Sequence, residues 1–328
     1  MTLNRRTALG LAALAATARP AAALTSVSPQ IAPPDPTEVI RLWPGAAPGG
    51  ERVTVTPEVT ERSTDPAFHD RFARYTTDPI LTVLRPDRPN GASLLLIPGG
   101  GYRWAVVDKE GLDCARVFAA AGVTCFVLRY RLPGDGWSAG PEAPLQDAQR
   151  ALRLIRAQAV ARGLDPARVA VLGASAGGHL AGMLSARADA TYAPVDEADA
   201  GSHRPDLSIL LYPVATMADP HVHAGSRREL LGETPTPEAI ARYSLEQMDW
   251  TGCSPTFLLH AMDDASVPVA NSLQLLAALR AAAVPCEAHL FEAGGHGFGI
   301  RLIAGKPAAV WPQLALAWAG RHGWAAPT

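Results

Sequence analysis

The sequence predicts a single α/β domain in which a central, mostly parallel sheet is flanked by helices. Short apolar runs alternate with longer amphipathic stretches, the pattern of repeated strand–helix units. One run ends in Gly173-Ala174-Ser175-Ala176-Gly177, a small-residue turn between a strand and a helix. An earlier run ends in Pro98-Gly99-Gly100-Gly101-Tyr102, where successive glycines leave backbone N–H groups unobstructed.

The chain starts differently from its remainder. Asn4-Arg5-Arg6-Thr7 leads into an apolar, alanine-rich stretch, Ala8 to Ala18, and then Ala21-Ala22-Ala23. A charged start, a short apolar region and small residues at the end make a signal-peptide pattern, and the paired arginines suggest the twin-arginine route. Residues 1–23 are therefore expected to be removed, with the mature protein periplasmic or secreted. A retained membrane anchor is the weaker reading, because a span needs about 20 apolar residues and Arg19-Pro20 interrupts this one. Residues 24–36 hold Pro29, Pro33, Pro34 and Pro36 and read as an extended linker. The catalytic domain is expected over residues 37–328.

Within it, strands are expected at Ile80–Leu84, Ser93–Ile97, Thr124–Arg129, Val169–Gly173, Leu207–Tyr212, Thr256–His260 and Glu287–Phe291. Apolar residues at helical spacing predict helices over Gly111–Ala121, Leu145–Ala161, Gly177–Ala188, Val269–Ala282 and Ala308–Trp318. Asp165-Pro166 separates the second helix from the strand that precedes Ser175.

The formal net charge is −2 and no long lysine or arginine run occurs, so the basic footprint of a nucleic-acid or anionic-membrane binder is missing. A small molecule or neutral polymer is the expected partner. Cys114, Cys125, Cys253 and Cys286 lack the spacing of a metal knuckle or redox motif. Cys253 and Cys286 lie just before, or at the start of, two expected neighbouring strands, so a disulfide and two reduced thiols both stay open. Neither metal nor cofactor is called for.

A serine hydroxyl is a poor nucleophile at neutral pH and needs a base and oxyanion donors beside it. Ser175 stands on the turn that would expose it, with Ala176 and either Gly100 or Gly101 as N–H donors. For a nucleophile on such a turn the acid and then the histidine follow in sequence. His296, in Gly294-Gly295-His296-Gly297-Phe298, follows the last strand and fits the base. Asp263 and Asp264 both qualify as the acid; Asp264, shortly before Val267-Pro268, is preferred, and Asp263 reads as a loop-shaping group. Asp249 and Asp219 are more remote. His179 and His260 read as buried packing residues, and the His221/His223 pair lacks an acid or cysteine cluster to complete a metal site. Tyr102, Trp104 and Trp137 are candidate sugar-stacking contacts, with loop packing the alternative for each. Asp108 and Glu110 could line the same mouth or simply begin the next helix.

The chain resembles the α/β-hydrolase carbohydrate esterases, among them bacterial acetyl xylan esterases and the xylanase- or feruloyl-esterase-related group. The resemblance rests on Leu42-Trp43-Pro44-Gly45, Pro98–Tyr102, Tyr130-Arg131-Leu132, Gly173–Ala181, Leu211-Tyr212-Pro213-Val214, His260–Ser272 and Gly294–Gly299. It implies a triad of Ser175, Asp264 and His296 acting on small acyl groups, acetyl foremost, on plant-polysaccharide sugars. It is weakest over Met217–Trp250, where such enzymes carry an excursion above the sheet. Two other readings share the scaffold: a serine peptidase of the prolyl-oligopeptidase type, whose propeller this chain is too short to hold, and a non-catalytic binding protein.

Overall fold

The computed structural model describes residues 32–324, so the expected signal peptide at 1–23 and most of the expected linker lie outside the described residues. In chain order the strands and helices are β1 (Glu38–Arg41), β2 (Glu58–Glu61), β3 (Arg71–Arg74), β4 (Ile80–Leu84), β5 (Ser93–Ile97), α1 (Asp113–Ala120), β6 (Thr124–Arg129), α2 (Ala143–Gln158), β7 (Val169–Ala174), α3 (Ala176–Ala186), β8 (Leu207–Leu211), α4 (Ala224–Leu231), α5 (Pro237–Arg242), β9 (Thr256–Ala261), α6 (Ala270–Ala281), β10 (Cys286–Phe291) and α7 (Trp311–Arg321).

Eight strands form one sheet in the order β1-β4-β6-β5-β7-β8-β9-β10. From β6 onward neighbours run parallel, whereas β1 with β4 and β4 with β6 are antiparallel. The parallel strands are buried on both faces, which is why they read as unbroken apolar runs. Alternate side chains serve opposite layers: Leu95 and Ile97 belong to the buried cluster that holds Leu152, Leu180 and Leu279, and Leu94 and Leu96 to the one that holds Phe118, Trp311 and Trp318. Thus α2, α3 and α6 cover one face and α1 and α7 the other. All seven expected strands and five expected helices are present, with ends shifted by a few residues. Among the described residues, no helix is long and apolar enough to cross a membrane.

Strands β2 and β3 form a separate antiparallel ribbon. Ala73 of β3 exchanges backbone hydrogen bonds of 2.8 and 2.7 Å with Ala105, tying the ribbon to the glycine loop after β5. Residues 32–36, placed in the expected linker, have no regular secondary structure but lie against the domain. Ala32 N–H donates to the Pro66 carbonyl, and Asp35 pairs with Arg71 at 2.6 Å.

Two of the shared motifs meet in a buried polar hub. Asp147 of α2 accepts from Trp43 Nε1 at 2.9 Å, from Arg131 N at 2.8 Å and from Arg131 Nε at 2.9 Å. Arg131 and Asp147 are both sealed from solvent, so the pair is affordable only because these donors satisfy the carboxylate. All four cysteines are free. Cys286 is aligned with Thr256, leaving Cys253 three residues short of the register, where its sulfur meets Arg204 Nη2 at 2.9 Å.

Candidate active site

The sheet delivers its reactive groups at the carboxyl ends of the parallel strands. Ser175 sits between β7 and α3 with φ +54° and ψ −120°, outside the ordinary regions for a residue with a Cβ. Its neighbours explain how so sharp a turn fits. A Cβ on Gly177 would overlap the Ile97 carbonyl, and one on Gly173 would overlap the carbonyl of Gly177. Only glycine allows strand and helix this close.

Ser175 Oγ lies 2.8 Å from His296 Nε2, and His296 Nδ1 lies 2.7 Å from Asp264 Oδ2. Asp264 follows β9, and its other oxygen accepts from the N–H groups of Ser266 and Val267, both at 2.9 Å. Burial raises the Asp264 pKa, but hydrogen bonds from His260 and His296, the charge His296 can carry and the Val267 N–H outweigh it and hold the carboxyl well below the usual range. An ionised Asp264 only accepts, so the His296 proton resides on Nδ1 and Nε2 is free to take one from Ser175.

The remaining acids and histidines sort by geometry. Asp263 accepts from Gly294 and Gly295 N–H at 2.8 Å each, so it shapes the loop that carries His296. His260 was expected only to pack; it is buried, and its Nε2 lies 3.0 Å from the Val267 carbonyl and 3.2 Å from Asp264 Oδ2. It therefore also braces the acid. His179 is buried beneath the serine turn between Tyr102 Oη and the Tyr243 carbonyl, each at 2.7 Å.

The glycine loop runs beside Ser175. Gly100 and Gly101 have φ of +131° and +65°, and among the described residues no oxygen accepts from their N–H groups. Ala176, first residue of α3, has an N–H without an intrahelical acceptor. Gly99 N–H is anchored instead on Glu110 Oε2 at 2.9 Å, and Glu110 Oε1 accepts from Tyr212 Oη at 3.1 Å. Tyr212 Oη in turn accepts from Gly299 N–H at 3.0 Å. Glu110 thus links the glycine loop to the histidine loop, a role no short motif announces. Asp108 is a salt-bridge residue, paired with Arg71 at 2.7 Å.

A cleft of about 340 Å³ opens above Ser175, with Trp104, Arg103, Lys109, His223 and His296 among its walls. Of the three aromatics expected at the mouth, only Trp104 lines it. Tyr102, at φ +63°, turns inward onto His179 and is buried. Trp137 is buried elsewhere, its ring 4.8 Å from the Arg131 guanidinium, so neither ring can stack on a bound sugar. His223, weighed in the sequence only with His221 as an incomplete metal pair, lines the cleft. It caps α4, in the Met217–Trp250 excursion, by accepting from Ser226 N–H at 3.1 Å. Burial and the His296 charge lower its pKa, against an opposing pull from Asp264.

The fold and this site define the class: the chain belongs to the α/β hydrolase fold family, whose model matches residues 94–300. Among its relatives, endo-1,4-beta-xylanase B of Butyrivibrio fibrisolvens is 36% identical over 67% of this chain and 34% of its own length. Acetylxylan esterase of Xylanibacter ruminicola is 32% identical over 65% of this chain and 42% of its own. The chain thus spans well under half of either relative. The acetyl ester-xyloside bifunctional hydrolase of Caldicellulosiruptor lactoaceticus, a solved structure, superposes with a TM-score of 0.70 at 30% identity, covering 92% of this chain and all of that one.

Proposed function

We propose that this protein is a serine carboxylesterase that removes small acyl groups, acetyl foremost, from plant-polysaccharide sugars or their oligosaccharides. The observation that carries the reading is the unbroken line from Ser175 Oγ through His296 to Asp264, at 2.8 and 2.7 Å. Ser175 attacks the ester carbonyl while His296 Nε2 takes its proton. Asp264 stabilises the imidazolium and holds its tautomer. Negative charge on the carbonyl oxygen is received by the N–H of Ala176 and by Gly100 or Gly101, each such donor contributing about 2.7–4 kcal/mol to the transition state. His296 then returns its proton to the departing sugar oxygen. Water, activated by the same base, releases the acyl group and restores Ser175.

The cleft volume and the Trp104 wall support a small acyl group with a sugar beside it. The similarity to an acetylxylan esterase and to an acetyl ester-xyloside hydrolase supports the same substrate class. Export by the leader at residues 1–23 would bring the enzyme to extracellular polysaccharide, and N-terminal sequencing of the mature protein tests it. For the chemistry, a fluorophosphonate probe should label the wild type at Ser175, and Ser175→Ala should lose both label and acetate release from acetylated xylan. An unlabelled wild type, or Ser175→Ala turning over p-nitrophenyl acetate at the wild-type rate, overturns the proposal.

A further inference from the structure

The walls of the cleft carry more than an acetyl group and a neutral sugar need. Lys109 is half-buried, its Nζ 3.3 Å from where a Cβ on Gly297 would stand, directly beside His296. Among the described residues no carboxylate makes a salt bridge with it, Glu110 Oε1 standing near the same Gly297 position, and a partly buried ammonium without a close partner is costly. Arg103 is a second cation, exposed at the mouth of the cleft, lying over the Trp104 ring at 5.2 Å with no carboxylate partner among the described residues. The third group is His223. Its Nδ1 accepts from the Ser226 N–H, so the neutral ring carries its proton on Nε2, which has no acceptor among the described residues.

The other charges along the cleft are spoken for. Arg62 is held by Asp70 at 3.0 Å, and Arg228 lies 3.7 Å from both Glu229 and Glu233. Glu110 accepts from Gly99 N–H and Tyr212 Oη and keeps one negative charge at the cleft floor, its Oε1 3.5 Å from the same Gly297 Cβ position that Lys109 Nζ approaches. Among the described residues, Lys109 and Arg103 thus set two cations against the single Glu110 anion, and His223 Nε2–H has no acceptor.

We infer that the cleft selects esters bearing a carboxylate near the scissile bond, an acylated acidic sugar being the class, with Lys109 and Arg103 holding the carboxylate and His223 Nε2–H donating to an adjacent oxygen. The inference rests on the esterase reading and adds the charge of the substrate to it. The carboxylate belongs either to the acyl group or to the sugar, and the geometry serves both.

The test uses the full chain and matched ester pairs. On the acyl side, kcat/KM for p-nitrophenyl hemisuccinate is divided by that for p-nitrophenyl acetate. On the sugar side, acetate release from an acetylated oligosaccharide containing a uronic acid is divided by release from its carboxyl-reduced counterpart. At least one ratio should exceed about ten at low ionic strength, and should fall towards one as salt shortens the screening length from about 20 Å to a few ångströms. Arg103→Met with Lys109→Met should lower the same ratio about tenfold. If the double variant does not fold, the salt dependence of the wild-type ratio decides. Ratios at or below one in both arms, or a ratio indifferent to salt and to the double substitution, overturn the inference while leaving the esterase intact. Hydrolysis of none of the four esters overturns the esterase reading itself.

Discussion

Asp264→Asn changes one atom and tests the proposed chemistry most sharply. Oδ1 of Asp264 accepts two backbone N–H groups at 2.9 Å, so an asparagine keeps its carbonyl oxygen there; the opposite orientation would set its NH2 against two donors. The NH2 then takes the place of Oδ2, 2.7 Å from His296 Nδ1. That nitrogen must now accept, the imidazole proton moves to Nε2, and Nε2 can only donate towards Ser175. The base is lost although every heavy atom stays in place. The same replacement in a serine-protease triad costs about 10⁴ in kcat, or roughly 5.5 kcal/mol at 1.36 kcal/mol per decade. The assay is p-nitrophenyl acetate turnover, with circular dichroism melting to show that the variant folds. Asp263→Asn is the control: its oxygen can still accept from Gly294 and Gly295, so kcat should stay within a few-fold. A folded Asp264→Asn with more than a tenth of wild-type kcat, or a collapse in Asp263→Asn instead, would refute the assignment.

Other consequences can be measured alongside. Glu110→Ala strands two buried donors, the Gly99 N–H and the Tyr212 hydroxyl, so urea unfolding should show a loss of about 2–5 kcal/mol, and kcat should fall as the glycine loop loosens. Burial lowers the His179 pKa to about 4, the hydrogen bond to Tyr243 opposing it only in part. A histidine with a depressed folded pKa contributes stability that is fully present above its unfolded pKa near 6.5 and is lost as pH falls through the folded one. Unfolding free energy should therefore drop by about 3 kcal/mol between pH 7 and pH 4 from this group, and His179→Gln should lack that component of the slope. Gly177→Ala should give insoluble or unfolded protein, since its Cβ would strike the Ile97 carbonyl; a well-folded variant would show that strand and helix can separate there.

How much of this was legible in the sequence follows from what each signal measures. The parallel strands were readable because burial on both faces makes them continuous apolar runs, as in Leu94–Ile97. Strand β1 was missed because it is an edge strand of four residues, alternately half-buried and exposed. The β2–β3 ribbon was missed for a related reason: short strands separated by a long connection give no hairpin signal. Helix α4 buries only Ser226 and Leu230, and α5 has six residues with none buried, so neither shows a periodic apolar face. At the site, the order of serine, acid and histidine could be read because each stands on a strand end flanked by glycine or acidic turn residues. Side-chain direction could not. Tyr102 and Trp104 are two residues apart, yet the positive φ at Tyr102 sends one ring inward while the other faces the cleft. Glu110 was legible as a lining of the mouth and does line the cleft, but its bridge between two loops, like the helix cap made by His223, lies in partners that no local pattern announces.

The buried hub around Arg131 and Asp147 also sets where the smallest folding unit begins. The family match starts at residue 94, yet Asp147 takes a hydrogen bond from Trp43, Arg131 donates to the Pro48 carbonyl at 2.7 Å, and Arg150 donates to the Leu42 carbonyl at 2.8 Å. Residues 42–48 act as a bolt shot into the back of α2, and cutting them away removes one hydrogen bond each from the buried Asp147, Arg131 and Arg150 and opens the Arg131–Asp147 pair to water. A ladder of N-terminal deletions should therefore show a cliff rather than a slope: removal up to residue 37 leaves a soluble domain, and removal past Trp43 abolishes it.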